Sequence, residues 1–430
     1  MMGPLRVAIG GLGTVGAAVA DILISRKDLI AARCGRQIEL VAVSARDRSC
    51  DRGVDLSGVE WFDDAAEMAA SADANVILEL IGGEDGIAKA VCENAIGAGR
   101  HVVTANKALL AMHGTPLAQA AEQANVAVGY EAAVAGGIPI IKALREGFAG
   151  NGIFSVHGIL NGTCNYILTT MRETGRDFDD VLSEAQELGY AEADPTFDVD
   201  GIDAAHKLAL LAGVAFGTEV NFGAVHVEGI RHISADDILF AEELGYRIKL
   251  LGIANRTDLG VEQRVYPCMV PMDAPLAHVE GVFNAVVAEG DAVGTSVLQG
   301  AGAGAGPTAS AVISDIVDIA RGMVLPVFSV PASKLTRAQT VPIGSRAGPY
   351  YVRLTVLDRP GVIADVSAAL REEEVSVEAL LQRGRSEKGS VPVVLTLHET
   401  VEANMQRALA RIAELDTVVE PPCMIRIENL

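Results

Sequence analysis

The chain opens on a short apolar run, LRVAIGGLGTVG (5–16), which breaks into glycines and resumes as AAVADILIS with apolar residues at helical spacing. IELVAVSA (38–45) reads as the next strand, so this stretch predicts a βαβ unit. ANVILELIGG (74–83) and HVVTAN (101–106) are further strand-like runs separated by the helical GIAKAVCENAIGAG, and VAVGYEAAV (126–134) is another. Such alternation predicts a parallel, doubly wound sheet of the Rossmann type over residues 1–135.

From 136 the texture changes. IFSVHGILNG (153–162), a helical region from 163 to 190, and the strand-like RVYPCMV (264–270) and NAVVAEG (284–290) predict a second, α+β domain over 136–305. GAGAGAGP (300–307) reads as a loop and TASAVISDIVDIARGM (308–323) as a helix, with 306–330 expected to return to the first domain. Residues 331–347 lack periodicity and are rich in Pro, Gly and Ser, as in a linker. Residues 348–430 read strand (YYVRLTVLD), helix (VIADVSAALREEE), two strands (VSVEALLQR, PVVLTLH), helix (EANMQRALARIAEL) and strand (CMIRIE). That βαββαβ order predicts a small ferredoxin-like domain and completes an α/β chain.

With 50% hydrophobic and 21% charged residues, the 430-residue chain has the profile of a globular protein with sizeable cores. A formal net charge of -22 argues against nucleic-acid binding, which needs a basic face. No apolar run reaches membrane-helix length, and MMGPLRVAIGG enters a strand without signal-peptide layout, so no membrane partner and a cytoplasmic location are expected. Cys34, Cys50, Cys92, Cys164, Cys268 and Cys423 are scattered, with no C-x-x-C pair to indicate a disulfide framework or a zinc site.

Gly11, Gly13 and Gly16 form G-x-G-x-x-G between a predicted strand and helix, where backbone amides and a helix N-terminus would meet a pyrophosphate. The second strand ends in Ser44, Ala45 and Arg46, followed by Asp47 and Arg48, with no carboxylate at the strand end to repel a 2′-phosphate. This leans towards NADP while leaving NAD open, and a solvated basic turn is the plainer reading of the arginines.

AEADPTFDVDGIDAAHKLALLAG (191–213) sets Glu192, Asp194, Asp198, Asp200 and Asp203 ahead of a helix apolar nearly all round, in which Lys207 is almost the only cation. Asp203 and Lys207 are i,i+4, so a buried ion pair or a snorkelling ammonium would account for them alone. The crowd of carboxylates exceeds what one pair requires. It suits a substrate amine, with Lys207 as proton donor to a carbonyl. Lys107 in VVTANKALLA follows a strand end, where doubly wound sheets bind ligands, although a solvated lysine would also fit there. Asn161, Gly162 and Thr163 form a strand-to-helix turn able to present donors to a carboxylate, or simply a helix cap.

GLGTVG, TANKALLA, YEAAVAGGIPII, GILNGTCNYIL, ELGYAEADPTFDVDGIDAAHKLALLA and GAGAGAGPTASAVISDI occur in the order found in homoserine dehydrogenase. The chain resembles the form of that family that carries a C-terminal ACT domain, over essentially its whole length. The resemblance implies interconversion of L-homoserine and L-aspartate 4-semialdehyde with NAD(P), a step towards threonine, methionine and isoleucine. It implies catalytic roles for Lys207, Lys107 and Asp203, and substrate contacts from Glu192, Asp198, Asp203, Gly162 and Thr163. Cofactor contacts are implied at Gly11, Gly13, Thr14, Val15, Gly16, Arg46, Thr104, Lys107 and Gly189, and in the return loop at Gly302 and Gly304, whose register against Gly300 is open by one two-residue step. A monovalent cation, usually sodium, is implied at Glu131, Val134, Gly136 and Ile138. The ACT-like segment LDRPGVIADVSAAL implies an amino-acid effector, threonine first, and a homodimer or homotetramer. Two other readings stand beside this one. The first is another amino-acid semialdehyde oxidoreductase, such as aspartate-semialdehyde dehydrogenase, with Cys164 as nucleophile. The second is a non-catalytic metabolite sensor.

Overall fold

The computed structural model describes residues 3–382 and 389–430. Its first elements are β1 (Leu5–Gly10), α1 (Thr14–Ser25), α2 (Lys27–Cys34), β2 (Ile38–Ser44), β3 (Glu60–Phe62), α3 (Ala65–Ser71), β4 (Val76–Glu79), α4 (Ile87–Gly97), β5 (His101–Thr104), α5 (Lys107–Gln123) and β6 (Val128–Gly129). The strands form one parallel sheet in the order β3-β2-β1-β4-β5-β6. The order reverses between β1 and β4, and a crevice opens at their carboxyl ends. The sequence pattern predicted neither β3 nor α3. β3 is the three-residue edge strand EWF, too short to show a period of two, and α3 is seven residues long, with a short stripe of Ala65, Met68 and Ala69 behind Asp64, whose carboxylate caps the amides of Ala66 and Glu67. Only Val128–Gly129 of the expected strand 126–134 pairs in the sheet; Glu131–Ala133 forms a 3₁₀ turn.

The chain continues through α6 (Ile140–Lys142), β7 (Ile153–Ile159), α7 (Gly162–Thr174), α8 (Phe178–Glu187), α9 (Thr196–Val199), α10 (Ile202–Phe216), β8 (His226–Val227), α11 (Ala235–Glu243), β9 (Tyr246–Thr257), β10 (Gly260–Pro271), β11 (Phe283–Gly290), β12 (Gly294–Ala301) and α12 (Ala305–Ala320). The single helical region expected over 163–190 is two helices. Gly175 takes φ +68 after α7 and its amide donates to the Met171 carbonyl, a left-handed cap that stops the helix. α10 is buried all round, from Asp203 to Val214 and again at Phe216. α12 shares a core with α1: Ala309, Val312 and Ile316 join Val19, Ala20 and Leu23.

The last elements are β13 (Ala347–Leu357), α13 (Val362–Glu372), β14 (Val377–Gln382), β15 (Ser390–Val401), α14 (Glu402–Ala413) and β16 (Cys423–Ile427), in the βαββαβ order. Arg383, the end of the expected strand VSVEALLQR, lies outside the described residues. β16 runs antiparallel to β13 and parallel to β10, pairing Cys268 with Arg426 and Met269 with Ile427. The result is one ten-stranded sheet, β12-β11-β7-β9-β10-β16-β13-β15-β14, with β8 alongside β10. Residues 331–346 pack on both domains: the Ala332 amide donates to Glu122 of α5 at 2.8 Å, Glu219 after α10 donates its amide to the Thr336 carbonyl at 3.0 Å, and Val261 of β10 to that of Gln339 at 2.9 Å. Among the described residues, no helix is long and apolar enough to cross a membrane.

Candidate active site

α10 begins at a glycine for a steric reason. Gly201 has φ +83, and a Cβ there would stand 3.1 Å from both Val227 and Val265. The helix so placed carries Asp203 and Lys207, 4% and 7% exposed, into the protein. Lys207 Nζ donates to Asp203 Oδ2 at 2.7 Å and to the Leu160 carbonyl at 2.8 Å. An ammonium has three donors, so among the described residues one is left for another acceptor.

Lys107 is the first residue of α5, whose cap is Asn106. Its Nζ lies 3.0 Å from Asp203 Oδ1 and 5.6 Å from the centre of the Phe197 ring. Asp203 therefore bridges two lysines, one on each oxygen. Asn161 Nδ2 donates to Asp203 Oδ2 at 2.9 Å and to Asp198 Oδ1 at 2.8 Å, while its Oδ1 caps α7 at the Cys164 amide. Thr163 Oγ1 donates to the Tyr190 carbonyl at 2.8 Å and is 3.4 Å from Asp198 Oδ2. The strand-to-helix turn after β7 and the acidic stretch before α10 thus meet in one place.

Burial alone would raise the Asp203 carboxyl, but the ammonium groups of Lys207 and Lys107 outweigh it and hold that carboxyl well below the usual range. For Lys207 burial wins. With Lys107 adding to it, the ammonium is held below its ordinary value in spite of Asp203. Asp198 is pushed up by burial and by the neighbouring Asp203, against the hydrogen bond from Asn161. A buried lysine that releases its proton more readily than in water, next to carboxylates that can orient an amine or hydroxyl, can serve acid–base chemistry at a carbonyl.

The nucleotide cleft lies at the reversal of the first sheet. It has a volume of about 640 Å³, with Gly11, Gly13 and Arg46 in its wall. Gly11 takes φ +96 and a Cβ there would be 2.5 Å from the Leu80 carbonyl oxygen; one on Gly16 would be 1.9 Å from that of Gly11. Gly13, by contrast, faces open space. The turn claims Gly11 and the packing of α1 on that turn claims Gly16. Thr14 and Val15 form the first turn of α1. Arg48 stacks on Trp61. Sequence reading missed Arg52, which also lines the cleft, stacks on Trp61 and donates to the Leu12 carbonyl at 3.2 Å. Its only sequence signal is its place as the third arginine of ARDRSCDR.

The loops around 131–138 and 302–304 pack on each other. A Cβ on Gly136 would be 2.5 Å from the Gly302 carbonyl oxygen, and one on Gly302 would be 2.2 Å from the Asn284 side chain. Gly300 pairs with Asn284 within β12, so the return loop proper is Gly302–Gly304. The Glu131 carboxylate accepts from the amides of Ile141 and Lys142 at 2.9 and 2.8 Å, and burial, with Asp315 beside it, pushes it up to about 7. Val134 and Ile138 are buried. No His, Cys, Asp and Glu cluster able to hold a metal occurs among the described residues.

Several expected residues stand apart from the Lys207 cluster. Glu192 is exposed, and among the described residues its side chain makes no hydrogen bond or ion pair with Lys107, Asp198, Asp203 or Lys207. Gly189 is an exposed turn glycine with φ +76 after α8. Thr104 is buried, its hydroxyl donating to Glu79 at 2.6 Å. Gly162 packs at the head of α7 on the Val282 carbonyl, where a Cβ would be 2.7 Å away. Cys164 is fully buried, its thiol donates to the Asp198 carbonyl at 3.2 Å, and burial raises its pKa far above the usual value. That thiol is unsuited to nucleophilic attack.

Residues 139–317 match the homoserine dehydrogenase family, residues 11–131 the homoserine dehydrogenase NAD binding domain, and residues 350–417 the ACT domain. The chain is 46% identical to the homoserine dehydrogenase of Neisseria gonorrhoeae and 45% identical to that of Pseudomonas aeruginosa, over 100% of each chain. The crystal structure of a homoserine dehydrogenase from Thiobacillus denitrificans superposes with a TM-score of 0.93 at 43% identity, over 100% of both chains. A hyperthermophilic archaeal homoserine dehydrogenase in complex with NADPH is 28% identical with a TM-score of 0.63, over 74% of this chain and 98% of its own. A dinucleotide cleft, a buried lysine–carboxylate cluster and full-length relatives converge, and the chain belongs to the homoserine dehydrogenases, oxidoreductases that act on a CH–OH group.

Proposed function

We propose that Lys207 is the proton donor and acceptor in the interconversion of L-homoserine and L-aspartate 4-semialdehyde. The observation that carries this reading is the Lys207 ammonium itself, buried, bonded to Asp203 and the Leu160 carbonyl, with one donor left over among the described residues. In the reducing direction Lys207 gives its proton to the oxygen of the aldehyde, and in the oxidising direction it takes the proton of the alcohol. Asp203 holds Lys207 and Lys107 in place, and its low pKa keeps it a carboxylate throughout. Asp198, fixed by Asn161, receives the substrate amine, with Thr163 beside it. Glu192, exposed on the preceding loop, joins that amine site only if the loop closes over bound substrate. A nicotinamide, when bound, supplies or accepts the hydride.

The glycine cradle fits a dinucleotide, and Arg46 in the cleft wall supports NADP over NAD. The NADPH of the archaeal relative points the same way. The 131–138 loop fits a monovalent cation bound by neutral carbonyl oxygens, because the Glu131 carboxylate is already taken by two amides. The ACT domain supports an amino-acid effector, with threonine as first choice, and so a place in threonine, methionine and isoleucine biosynthesis. β12 and β14 end the large sheet, with Val297 and Leu380 exposed, and such open edges support pairing into a homodimer or homotetramer.

The test is reduced-nicotinamide absorbance with L-homoserine and either cofactor, on the wild type and Lys207→Ala, with sodium or potassium present. Turnover that vanishes in the variant supports the assignment. Near wild-type turnover in Lys207→Ala would refute it, and no turnover in the wild type would revive the sensor reading.

A further inference from the structure

A partly buried charge network joins β16 and α14 to the segment packed on the acidic stretch, and the site described above does not include it. Arg426, on β16, is 1% exposed. It donates to Glu402 Oε2 at 3.0 Å and Oε1 at 2.6 Å, and it grips Glu228 in a fork, Nη1 to Oε2 at 2.8 Å and Nη2 to Oε1 at 2.7 Å. Its guanidinium lies 4.4 Å from the centre of the Tyr266 ring. Glu402 opens α14 and also accepts from Tyr350 at 2.9 Å; His226 Nε2 is 2.7 Å from Glu228. Arg426 therefore has one carboxylate in the ACT domain and one outside it.

The second carboxylate leads to the active site within two residues. The Glu228 amide donates to the Val265 carbonyl at 2.8 Å, which fixes the segment on β10. Gly229 then presses on the turn after α9: a Cβ there would be 2.4 Å from the Val199 carbonyl oxygen and 2.5 Å from Asp200 Cα. The Ile230 amide donates to that same Val199 carbonyl at 2.9 Å, and Arg231 Nε donates to Asp200 Oδ1 at 2.5 Å. Val199 and Asp200 directly follow Asp198. Charge-assisted, forked hydrogen bonds are the stronger and more directional kind, and this one is shielded on the Arg426 side, 1% exposed, while the Glu228 side chain is 33% exposed.

We infer that Glu228 and Arg426 are positioning residues for substrate binding: backbone pairing lays the 226–231 segment on β10, the fork ties it to β16, that segment holds α9, and α9 aims Asp198. The ACT domain supplies Arg426 and Glu402, so any shift of β16 against β10 acts on substrate affinity through this fork. The inference rests on the reading that Asp198 receives the substrate amine.

The test measures kcat, KM for L-homoserine and KM for the cofactor in Glu228→Gln and Arg426→Lys. Amide hydrogen exchange over 192–203 is followed in parallel. The expected result is a homoserine KM raised roughly 3- to 30-fold, with cofactor KM unchanged and faster exchange over 196–201. A merely structural role would instead lower the unfolding midpoint without separating the two KM values, and would overturn the inference. So would unchanged homoserine KM and exchange in folded Glu228→Gln, which keeps the side-chain shape and decides the matter even if Arg426→Lys does not fold. Exchange needs no turnover. Faster exchange in a protein inactive on homoserine would therefore refute the substrate reading while leaving the positioning role standing.

Discussion

Asp203→Asn and Lys207→Met remove the two ends of the same ion pair, yet the structure predicts unequal damage. In Asp203→Asn the Lys207 ammonium stays buried, keeps among the described residues the Leu160 carbonyl as its hydrogen-bond acceptor and the more distant Asp198 charge, and still faces the charge of Lys107. Leaving one partner of a buried pair uncompensated costs about 3–5 kcal/mol. In Lys207→Met the Asp203 carboxylate keeps Lys107 at 3.0 Å and Asn161 at 2.9 Å, so the loss is closer to one charged hydrogen bond, about 1.5–3 kcal/mol. Combining the two removes the orphaned ammonium, and the double variant should unfold later than Asp203→Asn alone. Urea titration followed by circular dichroism reads the order of midpoints: wild type, then Lys207→Met, then the double variant, then Asp203→Asn. The sign with pH follows from the depressed Asp203 carboxyl. Its stabilisation is present above the ordinary value of 3.8 and lost as pH falls through the lower native value, so the gap between wild type and Asp203→Asn should narrow in acid. Equal midpoints for the two single variants, or a double variant no better than Asp203→Asn, would refute the claim that Asp203 serves two lysines.

The nucleotide cleft separates two glycines. Gly16→Ala should lower the thermal midpoint because its Cβ meets the Gly11 carbonyl at 1.9 Å, whereas Gly13→Ala should leave the midpoint alone and weaken cofactor binding in a fluorescence titration. Arg46→Ala should raise KM for NADP by about tenfold, the worth of one charge-assisted hydrogen bond, and leave KM for NAD unchanged; equal effects on both would remove Arg46 from the 2′-phosphate. Cys164→Ser should keep turnover and its bond to the Asp198 carbonyl, and a loss as deep as that of Lys207→Ala would bring back a thiol nucleophile.

Much of the fold was legible because long elements carry their own period. α10 is the clearest instance, since a segment apolar on every side must be enclosed on every side, and the structure buries it so. β3 and α3 escaped because three residues at a sheet edge cannot display a period, and the seven residues of α3 carry a stripe of mostly alanine, Ala65, Met68 and Ala69, too short and weakly apolar to stand out. The break between α7 and α8 rests on one left-handed glycine, Gly175, indistinguishable in a sequence from a glycine tolerated inside a helix.

The site divides along a different line. The pairing of Asp203 with Lys207 follows from i,i+4 spacing on one helix, and the close packing at Gly11 and Gly16 follows from a local turn, so both could be read along the chain. What could not be read is what comes from elsewhere: the Leu160 carbonyl under Lys207, Lys107 on the far oxygen of Asp203, Asn161 spanning two carboxylates, and Arg52 in the cleft. These contacts cross 37 to 47 residues where the hydrogen bonds to Asp198, Asp203 and Leu160 are concerned. The same limit explains Arg426, which belongs to the last strand of the chain and reaches Glu228 across 198 residues. Periodicity assigns a residue to a face; only the packing of distant elements decides which charge waits opposite it. That is why the carboxylate stretch before α10 could be singled out from its composition, while the arginine fork from β16 could not.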